Sequence, residues 1–277
     1  MEDIDSPRVK AWAVRQAMDD LRWLGLDWDF GPDVGGPDAP YTQTERRAYY
    51  VVALERLKEA ELVYPCTCTR SDVEAAASAP HVGQEGPVYP GTCAWRRAGD
   101  AKAITDRPFS WRFRFAGSDS FADRVRGPQK QELAALGDFV IAKGDGTPAY
   151  QLAVVVDDGA MGITEVVRGD DLLPSAFRQR AIARALGFES PEYAHVPLVV
   201  GPDGRRLAKR HGDTRISVLR EQGIPAERLI GKLAFSAGLA EKDEPVTAGE
   251  LMGRFSWDRV PREVVVWTAE DWGRLVE

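Results

Sequence analysis

The chain has 277 residues, 44% of them hydrophobic, enough for the core of one large α/β unit carrying an insertion, or of two domains. Its net charge of −7 excludes indiscriminate nucleic-acid binding over the whole surface but leaves room for a local basic track. No apolar run approaches a membrane span, the acidic start does not read as a signal or transit peptide, and three cysteines without an export signal point to a reducing cytoplasm.

Asp5-Ser6-Pro7 predicts a helix start, with Val9, Trp12, Ala13, Ala17, Leu21 and Leu24 at helical spacing and Gly25 ending the run. After a Gly/Pro-rich loop over 29–40, a second helix is expected from Thr44-Glu45, burying Ala48, Val51, Leu54 and Leu57 until Tyr64-Pro65 breaks it. Residues 66–97 read as loop. Residues 111–115 alternate strictly and predict a half-buried strand. Residues 139–142, the Gly144-Asp145-Gly146 turn and residues 150–156 predict a hairpin, with Val154, Val155 and Val156 as in a strand covered on both faces.

Residues 163–167 predict another strand, followed at once by Arg168-Gly169-Asp170-Asp171. A helix is expected from Pro174 or Ser175, burying Phe177, Ala181, Ile182 and Leu186. Leu198, Val199 and Val200 form a short apolar strand ahead of a Pro202-Asp203-Gly204 turn. Arg205, Arg206, Lys209, Arg210 and His211 then crowd into seven positions. A cationic loop at the carboxyl end of a strand suits a polyphosphate, and the same charges also fit a plain solvated loop. Residues 224–239 and 246–255 read as short helices. There is no internal repeat and no low-complexity tract.

Cys66, Cys68 and Cys93 fall in a loop-rich stretch with little apolar periodicity of its own. Three thiolates converging there would bind zinc with one position left to fill, and such a site orders a loop that cannot fold alone. His81 and Tyr89 are the candidates for the fourth ligand. Three unrelated buried cysteines would give the same composition.

Four stretches together resemble the glutamyl-tRNA synthetase group of class I synthetases, and nearly the whole chain takes part. They are residues 1–8; Tyr64-Pro65-Cys66-Thr67-Cys68-Thr69-Arg70 with Tyr89-Pro90-Gly91-Thr92-Cys93; residues 149–158 with Val167-Arg168-Gly169-Asp170-Asp171-Leu172; and Arg206-Leu207-Ala208-Lys209-Arg210. The resemblance is to a short, zinc-bearing branch without an anticodon domain. It implies an α/β fold built on a Rossmann-like parallel sheet, with its first strand and helix missing, an inserted zinc-bearing module and a C-terminal helical extension. In this numbering, 1–63 and 149–200 would form the catalytic core. Residues 64–148 would be the inserted module with zinc at 66–93, and 201–277 the loop and helical stem.

The same resemblance implies an ATP-dependent ligase that activates L-glutamate, with Mg2+ accompanying the ATP. It passes the glutamyl group to queuosine at the wobble position of tRNA(Asp), with no membrane or obligate protein partner; the alternatives are a fragment of a glutamyl-tRNA synthetase that charges tRNA(Glu) and a noncatalytic, zinc-containing tRNA-binding protein. Glu2 would hold the amino group of glutamate, with Tyr150 and Arg168 as the other amino-acid contacts. Arg206 to Arg210 correspond to the mobile Lys-Met-Ser-Lys-Ser loop, with Lys209 on the phosphates of ATP. Arg206 replaces its first lysine and Ala208 its serine. Cys66, Cys68, Tyr89 and Cys93 become the ligands of one structural zinc, so the resemblance selects Tyr89 over His81. The family's His-x-Gly-His-like turn has no counterpart: His81, His195 and His211 all lie in other settings. The expectation is therefore that Met1 is internal to the natural protein and that this chain activates glutamate weakly or not at all. Plainer readings of the site residues are a core tyrosine at 150 and an ion pair of Arg168 with Asp170 or Asp171.

Overall fold

The computed structural model describes residues 1–4, 11–76, 87–205, 207 and 215–276. In chain order the elements are α1 (Ala11–Trp23), α2 (Arg47–Glu59), β1 (Val63–Cys66), α3 (Arg70–Ala76), β2 (Ser110–Phe113), β3 (Ser118–Asp123), β4 (Gly127–Glu132), β5 (Phe139–Lys143) and α4 (Tyr150–Met161). Then follow β6 (Glu165–Gly169), α5 (Leu173–Leu186), β7 (Glu192–Val196), β8 (Val199–Val200), α6 (Ile216–Glu221), α7 (Ala226–Ser236), α8 (Ala248–Met252), β9 (Val265–Val266) and α9 (Ala269–Val276).

Backbone pairing seats the first residues. The Met1 amino group donates to the Tyr41 carbonyl at 2.5 Å, Gln43 N returns to the Met1 carbonyl at 3.1 Å, and Thr44 N donates to Asp3 Oδ1 at 2.9 Å. Glu2 is thereby fixed beside the start of α2. In α1 the helical spacing of apolar residues does not become a buried face: Trp12 is 62% exposed, and Leu24, just past the helix, is the buried apolar residue. The expected helix-start residues Asp5, Ser6 and Pro7, with Val9, lie outside the described residues.

Helix α2 buries Tyr50, Ala53, Leu54 and Leu57, whereas Ala48 and Val51 face outward, against expectation. Polar partners set its rotation. Arg46 Nε and Tyr50 Oη both reach Asp157, at 2.7 Å and 2.9 Å, and an arginine only 2% exposed must satisfy its donors.

The sheet expectation needs correction. A Rossmann-like parallel sheet was predicted, and the observed sheets are mixed. One is three-stranded and antiparallel, in the order β1-β2-β5. A second runs β4-β3-β7-β6, with β3 and β4 antiparallel, β6 and β7 parallel, and β3 meeting β7 in parallel through the single pair Asp123↔Tyr193, and β8 and β9 form a third, two-stranded parallel sheet. The β6-α5-β7 unit supplies the parallel part, because parallel neighbours need a crossover of about a dozen residues. Residues 118–123, read as part of an insertion, thus contribute a strand to the sheet that holds β6 and β7.

Two strand predictions also change. Residues 111–113 are all buried, not half-buried, because Arg112 stacks on Tyr89 with its guanidinium 3.8 Å from the ring centre and donates to the Asp138 carbonyl at 3.1 Å. Residues 150–156 are helix, not strand. Leu152, Ala153, Val155 and Val156 are the buried positions of α4, spaced as a helix face, and Gly162 ends it in the left-handed region at φ 65°. Packing of that face on α2 and α5 overrides the β preference of three consecutive valines. This difference matters for the site, because it places Tyr150 at a helix N-terminus.

A second core, around Leu219, Ile224, Leu229, Ile230, Trp267 and Leu275, also takes in Leu24. Helices α7 and α8 are shorter than expected, and Thr247 with Glu250 forms a reciprocal cap at the start of α8. Lys232, 2% exposed, ties α7 to Asp271 of α9 at 2.5 Å and to Asp243 at 3.2 Å.

Candidate active site and cysteine cluster

Three of the four residues expected to surround the substrates come together. Arg168 lies near the carboxyl end of β6, Tyr150 opens α4, and Glu2 comes from the seated first residues; the charges of Glu2 and Arg168 act on each other and both act on Tyr150. The fourth, Lys209, lies outside the described residues with Arg206, Ala208 and Arg210; only Leu207 of that loop is described. Tyr150 is 38% exposed, which does not fit a core tyrosine. Asp170 pairs with Arg126, and among the described residues no ion pair joins it to Arg168.

Arg168 is held by three acceptors. Its Nε donates to His195 Nε2 at 3.1 Å, one terminal nitrogen to Gln179 Oε1 at 2.8 Å, and the other to the Leu172 carbonyl at 3.3 Å. The guanidinium also lies 5.2 Å from the Tyr193 ring centre. A guanidinium has five N–H groups in a fixed fork. Among the described residues, one N–H on each terminal nitrogen remains uncommitted, and such a pair can meet both oxygens of a carboxylate.

Beside this cation, together with Glu2, stands a carboxylate that sequence reasoning did not single out, Asp158. Burial and the neighbouring Asp157 push the Asp158 carboxyl up to about 6, with Glu2 adding to the rise and Arg168 opposing it. Burial also raises Glu2, against the pull of the nearby amino terminus. Tyr150 is raised by burial and by Glu2. Asp157 is different: Arg46, Gln43 and Tyr50 all donate to it, so it is a structural anchor. The Asp157-Asp158 pair at the end of an apolar run was the available signal, since acids there need partners or a ligand. Gln179, Tyr193 and His195 carried no such signal in the chain order.

The cysteines form the second cluster. The sulfurs of Cys66, Cys68 and Cys93 lie within 4.8 Å of one another, and those of Cys68 and Cys93 are 3.7 Å apart. Tyr89 Oη sits among them, 3.3 Å from Cys66 Sγ and 3.7 Å from Cys68 Sγ, and accepts from Cys93 N at 2.7 Å. Ligands about 2.3 Å from a tetrahedral ion stand roughly 3.8 Å from one another, so these spacings fit a metal of zinc's size. Although burial opposes it, the Thr67 N–H and Tyr89 hold Cys93 low, at about 7, favouring the thiolate that metals bind. His81 lies outside the described residues.

With this geometry in hand, comparison with known proteins is direct. Residues 1–271 match the family model described as tRNA synthetases class I (E and Q), catalytic domain. The chain belongs to this family. It is 48% identical to the glutamyl-Q tRNA(Asp) synthetase of Rhodopirellula baltica, over 100% of this chain and 87% of that protein. It is also 48% identical to the protein of the same name from Symbiobacterium thermophilum, over 98% and 85%. Among solved structures, glutamate-tRNA synthetase from Elizabethkingia anophelis superposes with a TM-score of 0.83 at 27% identity, over 99% of this chain. The chain spans 61% of the length of that synthetase. The architecture is therefore the class I synthetase catalytic fold, built here on mixed sheets. No described helix is long and apolar enough to cross a membrane.

Proposed function

We propose that this class I synthetase-family chain serves an ATP-dependent ligase that activates L-glutamate and transfers the glutamyl group to queuosine in tRNA(Asp). The observation that carries the reading is Arg168, with two N–H groups uncommitted among the described residues, within electrostatic reach of Glu2 and Asp158. One cation and two anions within a single site complement a small molecule with a carboxylate at one end and an ammonium at the other. The relatives named glutamyl-Q tRNA(Asp) synthetase supply the amino acid and the acceptor.

In this reading Arg168 binds the side-chain carboxylate of glutamate, Glu2 and Asp158 hold its ammonium, and the Tyr150 hydroxyl fixes its orientation. The free α-carboxylate then attacks the α-phosphorus of ATP. A carboxylate oxygen–phosphorus bond forms, the bond to the β-phosphate oxygen breaks, and pyrophosphate leaves. Lys209 offsets the charge gathering on the departing phosphates, which is where a fixed cation contributes most. Attack by the acceptor on the mixed anhydride then releases AMP. Mg2+ travels with the ATP. Cys66, Cys68, Tyr89 and Cys93 would hold one zinc ion, which orders residues 66–93 and takes no step in the reaction.

The test is glutamate-dependent ATP–pyrophosphate exchange without tRNA, followed by transfer of labelled glutamate to tRNA(Asp) with and without queuosine. Exchange without tRNA, slow for this chain, and labelling only of the queuosine-bearing tRNA are expected. Charging of tRNA(Glu) instead, or no exchange by either this chain or a form extended at its amino end, would overturn the reading.

A further inference from the structure

Behind Arg168 lies a buried chain of groups that the proposed reaction does not use. His195 of β7 is fully buried, and its two ring nitrogens face different partners. Nε2 receives the Arg168 Nε–H at 3.1 Å, and Nδ1 lies 2.6 Å from Asp123 Oδ2. An arginine Nε can only donate, so His195 Nε2 must carry a lone pair, and the ring proton must reside on Nδ1. Asp123 secures that arrangement from the far side. Its Oδ1 accepts from the backbone N–H groups of Val125 at 3.0 Å and Arg126 at 2.8 Å, the His195 backbone N–H bridges both oxygens at 3.2 Å, and Oδ2 also accepts from the ring. The other charged groups acting on the ring are Arg168 and Asp170, and the Tyr193 ring stacks on it at 5.8 Å.

We infer that Asp123 and His195 are positioning residues for substrate recognition: by fixing the histidine in its neutral Nδ1–H form, they present an acceptor that orients the Arg168 fork toward the glutamate carboxylate. The inference rests on the reading of Arg168 as the carboxylate-binding group. Burial and the Arg168 charge keep His195 below the usual histidine range, consistent with a neutral ring. Burial works to raise Asp123, but the Arg126 N–H and the His195 ring hold it low, as an acceptor-only carboxylate must be.

Two variants separate positioning from simple core packing. In His195→Gln the amide oxygen falls near the Nε2 position and can still accept from Arg168 while the bond to Asp123 is lost. In His195→Asn the amide reaches Asp123 but not Arg168. Glutamate affinity, measured by calorimetry on the full chain, should stay within about threefold of wild type for Gln and fall roughly tenfold or more for Asn. The reverse order would show that the anchor to Asp123 is what matters, and equal losses that the ring serves only core packing; either result overturns the inference.

The tautomer gives an independent readout by long-range proton–nitrogen NMR. Wild type should show Nδ1–H; an Nε2–H ring would overturn the inference outright. Asp123→Asn must keep its oxygen toward the Val125 and Arg126 N–H groups, so it turns an NH2 toward the ring. That substitution should force the Nε2–H form and weaken glutamate binding in a chain whose melting temperature shows it folded. If wild type has the Nδ1–H ring but binds no glutamate, the functional reading fails and takes the proposed role with it. If glutamate binds in an Arg168-dependent way and the His195 variants are indifferent, only the positioning role fails.

Discussion

Asp157 and Asp158 are neighbours in sequence with opposite fates. Successive residues of a helix point about 100° apart, so one carboxylate meets Arg46, Gln43 and Tyr50 while the other faces Glu2 and Arg168. With its folded pKa raised to about 6, Asp158 contributes stability that is full below its ordinary value of 3.8 and is lost as pH rises through about 6. Asp158→Asn should therefore raise the melting temperature above pH 6 and leave it nearly unchanged at pH 3.5. The same ionisation prepares Asp158 for an ammonium, so glutamate affinity should climb as pH rises through about 6, and Asp158→Asn should flatten that limb. Unaltered pH dependence in the variant would remove Asp158 from the site. Arg168→Ala should raise the KM for glutamate by roughly a hundredfold through loss of a charge-assisted, two-point contact, with a smaller change in the KM for ATP.

Among the elements, those with a strong local signal were legible and those set by packing were not. The helix over 173–186 was readable from Phe177, Ile182 and Leu186, and the strand before it from its β-branched run. The strand predicted over 150–156 failed because three valines favour β structure locally, while the buried face of α4 obeys a helical period that only its neighbours enforce. The rotation of α2 was equally hidden, because it is fixed by Asp157, more than a hundred residues away. Glu2, Tyr150 and Arg168 were proposed through the family likeness of their motifs. Gln179 and His195 were not, since nothing in linear order links them to Arg168. The cysteine spacing did mark out one cluster, and here the expectation can be tested by composition. Cys66→Ser should lower bound zinc in elemental analysis and make residues 66–93 more open to proteolysis. Metal content equal to wild type would dismiss the zinc assignment.

At the scale of the whole molecule, the two largest apolar cores are separate, and the second depends on the Lys232 clasp between α7 and α9. Burial opposes ionisation of Asp271, but the bond from Lys232 and the Thr268 N–H outweigh it and hold the carboxyl at about 2. That depressed value contributes stability above pH 3.8, lost as pH falls toward about 2. Lys232→Met should cost about 2 kcal/mol, below the 3–5 kcal/mol of a fully buried broken pair because Asp271 keeps some water. Hydrogen exchange should show that loss first in α7 and α9, ahead of β6 and β7.

The position of β6 at one end of its sheet has a colloidal consequence. Val167, on that outermost strand, is 54% exposed, and a strand in such a place offers main-chain groups to another molecule. Mutual repulsion between chains of net charge −7 keeps those rims apart at neutral pH. Close to the isoelectric point of about 5.2 that repulsion vanishes, and concentrated solutions should turn cloudy. A lysine in place of Val167 should keep them clear by placing a solvated cation on the rim, a difference that turbidity across pH 4.5–6 would record directly.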